Sequence, residues 1–242
     1  MMRMKLPEME REQIFNASQK ELFLDRSKDA LDYLTQVRGF DEKTIKKFSL
    51  GFMPEGVKNS EGQIHELAGR VIIPLKDSYG NLVAFSSRRW NETDKKTFWH
   101  ESYAKSHFLF GLDLAKRDIA KTRKAILVEG EFDVMKLHQV GINCTVGICG
   151  SAPQLFQIAL LRRYCKEMFL VFDSDQAGDN ATDRIMKEKI VKYFSQSFFD
   201  TYLIPVKLPR GTDPDDFIND RGAKEFIRLL RETKNNYYKD RK

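Results

Sequence analysis

The sequence lacks the residue spacings that a zinc site requires. Its 242 residues include three cysteines and four histidines. The cysteines, Cys144, Cys149 and Cys165, contain no C-x-x-C pair, and the histidines form no H-E-x-x-H pattern. Zinc ribbons and zinc hydrolases depend on such spacings because the ion needs its ligands close together. We therefore expect no zinc in this chain, and cysteines that remain reduced in the core.

The sequence also lacks a long apolar run. No segment approaches the roughly 20 apolar residues that a membrane-spanning helix needs. The N-terminal stretch MMRMKLPEMEREQ is too charged to contain the apolar middle of a signal peptide. With 41% hydrophobic and 31% charged residues, the composition is that of a globular chain rather than a disordered one. We expect a cytoplasmic protein with no membrane partner.

The charge is unevenly distributed along the chain. The net charge is +6 and the pI is about 9.1, which is compatible with a polyanionic partner. Residues 88 to 124 are rich in lysine and arginine, whereas residues 129 to 183 contain a concentrated set of carboxylates. A basic surface beside an acidic centre suits a metal-dependent enzyme that handles nucleic acid. Solvation of ordinary exposed faces is the alternative explanation for the basic residues.

The first half of the chain predicts a small basic α+β subdomain, residues 1–115. Apolar spacing indicates helices over residues 8–24 and 27–37, the second ended by Gly39, and Asp41 is placed to cap a further short helix. The segment RVIIPLKDSYGNLVAFSSRRW predicts a β-hairpin, because two apolar runs flank a turn-forming DSYGN. Residues 91–107 are expected to be irregular and basic.

The second half, residues 116–242, predicts an α/β domain with a parallel sheet flanked by helices. Four short apolar runs, AILV, NCTVG, EMFLVF and TYLIPV, alternate with helical patterns. Strands that are apolar almost throughout are typical of parallel sheets covered on both faces. We expect the boundary between the domains within residues 112 to 124.

Carboxylates follow these strands at the ends where ligands bind in open α/β sheets. Glu129 follows the first run, Asp173 and Asp175 follow the third, and Asp213, Asp215 and Asp216 follow the fourth. Asp133 lies one helical turn beyond Glu129. An acidic residue after a strand is commonly only a helix cap or turn former. We assign that lesser role to Asp179 and Asp183.

Converging carboxylates without cationic partners repel one another, and a hard divalent cation removes that conflict. Glu129, Asp173 and Asp175 are therefore predicted to hold metal and to be catalytic. Two Mg²⁺ or Mn²⁺ ions at such a site can stabilise the attacking and leaving oxygens of a phosphoryl transfer.

The motifs resemble those of the TOPRIM fold, and most of all those of DnaG-type bacterial and phage primases. VEGEFDV matches the E-G-x-x-D motif through Glu129, Gly130 and Asp133, and FDSDQAGDNA matches D-x-D-x-A-G through Asp173 and Asp175. LPRGTDPDD is similar to the closing L-P-x-G-x-D-P-D segment. The resemblance implies that Glu129, Asp173 and Asp175 are the principal metal ligands, and that Asp133, Asp213 and Asp215 support them.

The resemblance continues upstream and implies a nucleic-acid-binding surface. YLTQVRGFDEKTIKKFSLGFMP, GRVIIPLKDSYGNLVAFSSRRW and KTFWHESYAKSHFLFGL are each similar to a segment of the primase core. Thr97 and Trp99 stand where the family has tyrosine and asparagine. The glycine followed by serine or threonine that the family has in the loop after the second strand is preserved as Gly150-Ser151. The residues implied in template or nucleotide binding are Arg38, Arg88, Arg89, Lys96, Lys105, Gly150 and Ser151.

The function implied is that of a DNA primase catalytic core, a nucleotidyltransferase that copies single-stranded DNA into short RNA primers from NTPs. Full-length family members also carry a zinc-ribbon domain and a region that docks on the replicative helicase. Neither is recognisable here, so the chain is either a catalytic-core fragment or a minimal primase that obtains those functions from partners. The alternatives are a TOPRIM-type metal-dependent nuclease and a non-catalytic helicase-accessory module that binds nucleic acid.

Overall fold

The computed structural model describes residues 5–59, 61–91, 98–150, 152–174 and 201–240. The chain divides into two compact units after Tyr103. This division precedes the boundary expected near residue 115, because the residues that follow Tyr103 are bonded to the second unit. Phe110 pairs with Gly147 as an isolated antiparallel bridge, and the buried Gln157 side chain donates to the backbone carbonyls of Lys105 and Phe108.

The first unit begins with short helices packed through their apolar residues, of which Leu22 and Leu34 are fully buried. Asp41 caps the last of these helices as expected, since its Oδ1 accepts the N–H of Thr44 at 2.7 Å. The helix predicted over residues 27–37 is instead a succession of 3₁₀, α and π turns. The helical segments are α1 (Glu8–Leu22), a 3₁₀ turn (Asp25–Ser27), α2 (Lys28–Asp32), a π turn (Tyr33–Val37) and α3 (Glu42–Lys47).

An antiparallel sheet in the order β1-β2-β3-β4 completes the first unit. The predicted hairpin is confirmed as β2 and β3, and Asp77 stabilises its turn by accepting the N–H groups of Tyr79 and Asn81. The expectation that residues 91–107 are irregular is wrong for β4, which pairs with Ser86–Arg88 of β3. The strands are β1 (Gly51–Met53), β2 (Arg70–Lys76), β3 (Leu82–Arg89) and β4 (Phe98–His100).

A buried ion pair ties the ends of the first unit together. Glu101 Oε1 accepts the N–H of Leu6 at 2.8 Å and lies 2.7 Å from the Arg11 guanidinium. Glu101 Oε2 also accepts the N–H of Phe85. The side chains of Arg11 and Glu101 are 7% and 0% exposed. Nothing in the local sequence pattern predicted this pair.

The second unit is the parallel α/β domain that the sequence predicted. The strands that the structure describes in this unit all run parallel, in the order β6-β5-β7-β8. The elements are a 3₁₀ turn (Lys105–His107), α4 (Leu112–Thr122), β5 (Lys124–Val128), α5 (Glu131–Gln139), β6 (Thr145–Gly147), α6 (Leu155–Leu161), β7 (Glu167–Val171), β8 (Tyr202–Val206) and α7 (Pro214–Lys239). Helix α7 is interrupted at Gly222, where φ is +79°.

The core of this domain lies between the sheet and its helices. Among its fully buried members are Leu127 of β5, Leu170 of β7 and Ile158 of α6. Residues 175–200, which include the helical pattern between the third and fourth apolar runs and the predicted cap residues Asp179 and Asp183, lie outside the described residues. Within the described part of the chain, no helix is both long enough and apolar enough to cross a bilayer.

Candidate active site

The strand order places Glu129 and Asp173 beside each other. From β5 the chain moves to β6 on one side of it and then crosses to β7 on the other, so the carboxyl ends of β5 and β7 form a topological switch point. Glu129 follows β5 and Asp173 follows β7. The N–H of Asp173 donates to Glu129 Oε1 at 3.3 Å, which joins the two strand ends directly.

The described carboxylates at this end of the sheet, which we call the acidic edge, are those of Glu129, Asp173, Asp213, Asp215 and Asp133. Asp133 lies among the others. It sits in the first turn of α5, where its Oδ2 accepts the N–H of Gly130 at 3.1 Å and its Oδ1 that of Asp215 at 3.4 Å. Burial raises the pKa of Asp133 well above its usual value, and the neighbouring charges of Asp213 and Asp173 raise it further. Asp133 therefore lies within electrostatic range of both Asp173 and Asp213.

Asp213 and Asp215 begin helix α7. Asp213 is its N-cap, with Oδ1 accepting the N–H of Asp216 at 2.7 Å. Asp215 is buried and has a cationic neighbour, because Lys136 Nζ lies 3.4 Å from its Oδ1. Asn219 Nδ2 donates to the same oxygen at 3.1 Å. The expectation of carboxylates without cationic partners thus fails at Asp215, whose charge is balanced by a lysine.

Lys136 is the residue of this cluster that the sequence reasoning missed. It lies three residues after Asp133, on the same side of α5, and its side chain is only 4% exposed. The local indication that Lys136 is buried was its position within EFDVMKLHQ, a helix whose other residues are mostly buried. A buried lysine requires an anionic partner, and that partner is about eighty residues away in the chain.

The acidic edge has the donor chemistry of a hard divalent cation. Its side chains offer carboxylate oxygens, with no thiolate or imidazole among those that converge, and Mg²⁺ prefers oxygen ligands. Within the described residues, no group of three or more acidic, histidine or cysteine side chains has the geometry to hold an ion by itself. Asp175, predicted as a principal ligand, lies outside the described residues. The oxygen ligands that these residues offer are therefore the type that a divalent metal ion such as Mg²⁺ binds.

The loop after β6 joins the acidic edge to a basic residue. Cys149, with φ of +51°, donates its N–H to the carbonyl of Glu129 at 3.0 Å. Lys105 Nζ donates to the carbonyl of Cys149 at 3.5 Å. Gly150 follows and is exposed. The fold thus brings the predicted residues Lys105 and Gly150 next to the end of β5, where Glu129 lies, whereas Ser151 lies outside the described residues.

The other predicted basic residues belong to the first unit. Arg38 ends the π turn and is half-buried. Arg88 and Arg89 are consecutive on β3, so their side chains leave opposite faces of the sheet and cannot act on one face together. Arg89 Nη1 lies 3.6 Å from Glu55 Oε1. Lys96 lies outside the described residues.

Two family models match the chain. The DNA primase catalytic core, N-terminal domain, matches residues 57–116, and a Toprim-like domain matches residues 126–218. The second match covers the parallel sheet and the described carboxylates of the acidic edge. The gap between the matches falls later in the chain than the division into compact units.

Similar proteins are named DNA primase. The Chlamydia pneumoniae DNA primase is 33% identical over 240 residues, covering 87% of this chain and 38% of the relative. The Synechocystis DNA primase is 34% identical over 238 residues, with coverages of 85% and 37%. The chain therefore spans less than half the length of these curated relatives.

Solved structures have the same fold. The Aquifex aeolicus primase, with its zinc-binding and RNA polymerase domains, matches with a TM-score of 0.78 and 27% identity over 92% of this chain and 59% of that one. A DnaG primase catalytic domain bound to ssDNA matches with a TM-score of 0.81 and 25% identity, covering 92% of this chain and 79% of that one. With its acidic edge on a Toprim-like sheet, the chain is similar over most of its length to DnaG-type DNA primases, and it matches the part of one such primase that was solved as the catalytic domain.

Proposed function

We propose that this chain is the catalytic core of a DNA primase, a nucleotidyltransferase that synthesises short RNA primers on single-stranded DNA in the cytoplasm. The observation that carries the proposal is the junction of Glu129 and Asp173 at the sheet's switch point, within a primase-type chain. Acidic crowding of this kind is unfavourable beside nucleic-acid phosphates unless a cation is bound there. The arrangement therefore favours chemistry on phosphate over simple binding.

The proposed metal-holding residues are Glu129, Asp173 and Asp175, with Asp133 and Asp213 beside them. When bound, two Mg²⁺ or Mn²⁺ ions supply electrostatic stabilisation for a primer 3′-hydroxyl attacking the α-phosphorus of an NTP as pyrophosphate leaves. Asp215 acts in support rather than as a free ligand, because Lys136 and Asn219 occupy its Oδ1.

The chain's own groups hold this edge in place. The N–H of Asp173 orients Glu129, and Asp133 accepts the N–H groups of Gly130 and Asp215, which fixes the start of α5 against the start of α7. A site whose ligands are oriented by backbone donors needs little reorganisation when substrate arrives.

The proposed template and nucleotide contacts are electrostatic. Arg38, Arg88, Lys96 and Lys105 are assigned to template phosphates, which predicts binding that weakens with salt. Arg88, Lys105 and the Gly150-Ser151 pair are assigned to the triphosphate or its approach, and Arg89 is the alternative to Arg88 there, because the two side chains leave opposite faces of β3. The replicative helicase, and a zinc-ribbon domain in the same or another chain, are the proposed protein partners.

The test is RNA synthesis by the purified chain with single-stranded DNA, NTPs and Mg²⁺ or Mn²⁺. Asp173→Asn and Asp175→Asn are each expected to abolish product without unfolding the protein. Asp220→Asn makes the same charge change at an exposed position of α7 and is expected to leave synthesis unchanged. Synthesis that survives both active-site substitutions contradicts the metal assignment.

Two other outcomes identify the rival functions. Metal-dependent cleavage of labelled DNA, lost in Asp173→Asn, indicates the nuclease. Binding of single-stranded DNA that is unchanged in Asp173→Asn, with neither synthesis nor cleavage in the presence of helicase and a zinc-ribbon domain, indicates the accessory module.

A further inference from the structure

Two exposed aromatic rings stack on each other in the second unit. His107 and Phe156 have ring centroids 4.2 Å apart and planes inclined by 27°. Phe156 remains 60% exposed and His107 is exposed as well. Single exposed apolar side chains are common and need no explanation. A stacked pair whose outer ring surface still faces solvent is different, since it offers a flat π-surface to a third ring.

The backbone segments that carry the two rings are joined by a buried amide. Gln157, adjacent to Phe156 and 1% exposed, places its Nε2 within 2.7 Å of the Phe108 carbonyl and 3.1 Å of the Ile148 carbonyl. Its Oε1 accepts the N–H of Gln154 at 2.8 Å. The segment that carries His107 and the helix that carries Phe156 are therefore fastened to each other and to β6. Because the two segments are already joined, a ligand that stacks on the rings does not have to bring them together.

A series of hydrogen-bonded residues connects the ring pair to the acidic edge. His107 is two residues from Lys105, whose Nζ reaches the Cys149 carbonyl, and the N–H of Cys149 donates to the carbonyl of Glu129. The surroundings thus combine an aromatic surface with a cation, and the residue that this cation contacts is bonded to Glu129, a predicted metal ligand. That combination has the chemistry that a nucleotide requires, because a base can stack on the rings while a phosphate pairs with the lysine.

We propose that the His107–Phe156 pair is a stacking platform for a nucleobase. The inference rests on the proposed function, which supplies two sources for that base: the single-stranded template and the incoming NTP. A platform for either one positions a nucleotide with little sequence preference, because every base has a π-face.

The experiment compares Phe156→Leu, which removes the ring but keeps an apolar side chain, with Phe156→Tyr, which keeps the ring. Leu155→Ala is the matched control, because Leu155 is the neighbouring exposed residue of α6, 46% exposed, and has no ring. Each variant is titrated with a fluorescent single-stranded DNA and with an abasic strand of equal length. The KM for NTP is measured in the primer assay, with helicase and a zinc-ribbon domain added where synthesis requires them.

For a template base, Phe156→Leu weakens binding of the base-bearing strand about tenfold, within the range measured for loss of a base–aromatic stack. The abasic strand binds all variants equally, and the salt dependence of binding is unchanged because no phosphate contact is lost. For an NTP base, strand binding is unchanged and the KM rises by a similar factor. In both cases Phe156→Tyr and Leu155→Ala behave as wild type.

The proposal is overturned if Phe156→Leu changes neither quantity, or if it weakens the abasic strand as much as the base-bearing one. Failure of the proposed function has a separate signature. A wild-type chain that makes no RNA, but binds base-bearing DNA in a manner that depends on the Phe156 ring, contradicts the primase assignment and supports the platform.

Discussion

Replacing Lys136 with methionine removes the charge that balances Asp215 while keeping most of the apolar stem. Lys136 Nζ lies 3.4 Å from Asp215 Oδ1, and the two side chains are 4% and 6% exposed. At that distance and an effective dielectric constant of about 20, the attraction is about 5 kcal/mol. Desolvation of both groups offsets much of it, so the pair as a whole contributes little net stability.

Removing only one partner is different, because the Asp215 carboxylate then stays buried without the lysine charge. Breaking a buried ion pair in this way costs about 3–5 kcal/mol. We expect Lys136→Met to lie near the lower end, about 3 kcal/mol, since Asn219 still donates to Asp215 Oδ1. Adding Asp215→Asn to Lys136→Met removes both charges and is expected to recover most of the loss.

The assay is urea unfolding in which amide hydrogen exchange of the β5 and β7 peptides reports on the second unit. Tryptophan fluorescence reports on the first unit, because both tryptophans, Trp90 and Trp99, lie there. Lys46→Met is the control, since Lys46 pairs with Glu42 on an exposed helix face and such pairs contribute less than about 0.5 kcal/mol. A loss in Lys136→Met no larger than that in Lys46→Met refutes the reasoning.

Three further outcomes are expected. Glu101→Gln leaves the Arg11 charge buried and should lower the stability of the first unit by about 3 kcal/mol, seen as an earlier fluorescence transition in urea. Burial raises the pKa of Cys165 to about 12, so iodoacetamide at pH 8 should label it only on unfolding, as peptide mass spectrometry would show. Asp41→Ala removes a helix cap and should cost about 1 kcal/mol of unfolding free energy at pH 7. Hydrogen bonds from Thr44 lower the pKa of Asp41, so this difference is present above about pH 4 and is lost as the pH falls through the lowered value.

For each of these three predictions, a specific experimental result would contradict it. An unchanged fluorescence transition in Glu101→Gln shows that the pair is not a structural requirement. Labelling of Cys165 in the native protein at the rate of a free thiol contradicts its burial. A stability difference for Asp41→Ala that is the same at pH 3 and pH 7 contradicts the capping carboxylate as its source.

Local pattern was sufficient for most of the secondary structure. The hairpin of β2 and β3 followed from two apolar runs around DSYGN, because turn residues and strand periodicity are properties of adjacent residues. The four apolar runs of the second half likewise became parallel strands. Strand β4 was missed because its three residues have no distinctive pattern and are strand-like only through pairing with β3.

The sequence indicated which residues belong to the candidate site, but only part of their arrangement in space. Position at the ends of apolar runs identified Glu129 and Asp173, since ligands bind at the carboxyl ends of parallel strands. The opposite directions of Arg88 and Arg89 were implicit in strand alternation, but became evident only once both were known to lie within β3. The Arg11–Glu101 pair was not predictable at all, because its partners are ninety residues apart.

By itself the amino-acid sequence determined the types of element, the acidic residues at their ends and the resemblance to primases, all of which depend on neighbours in the chain. Only the tertiary structure decided which of those residues meet. The order β6-β5-β7-β8 places Glu129 beside Asp173, and packing of α5 near α7 gives Asp215 a lysine. Such contacts depend on strand order and helix packing, which are long-range properties that no short segment encodes.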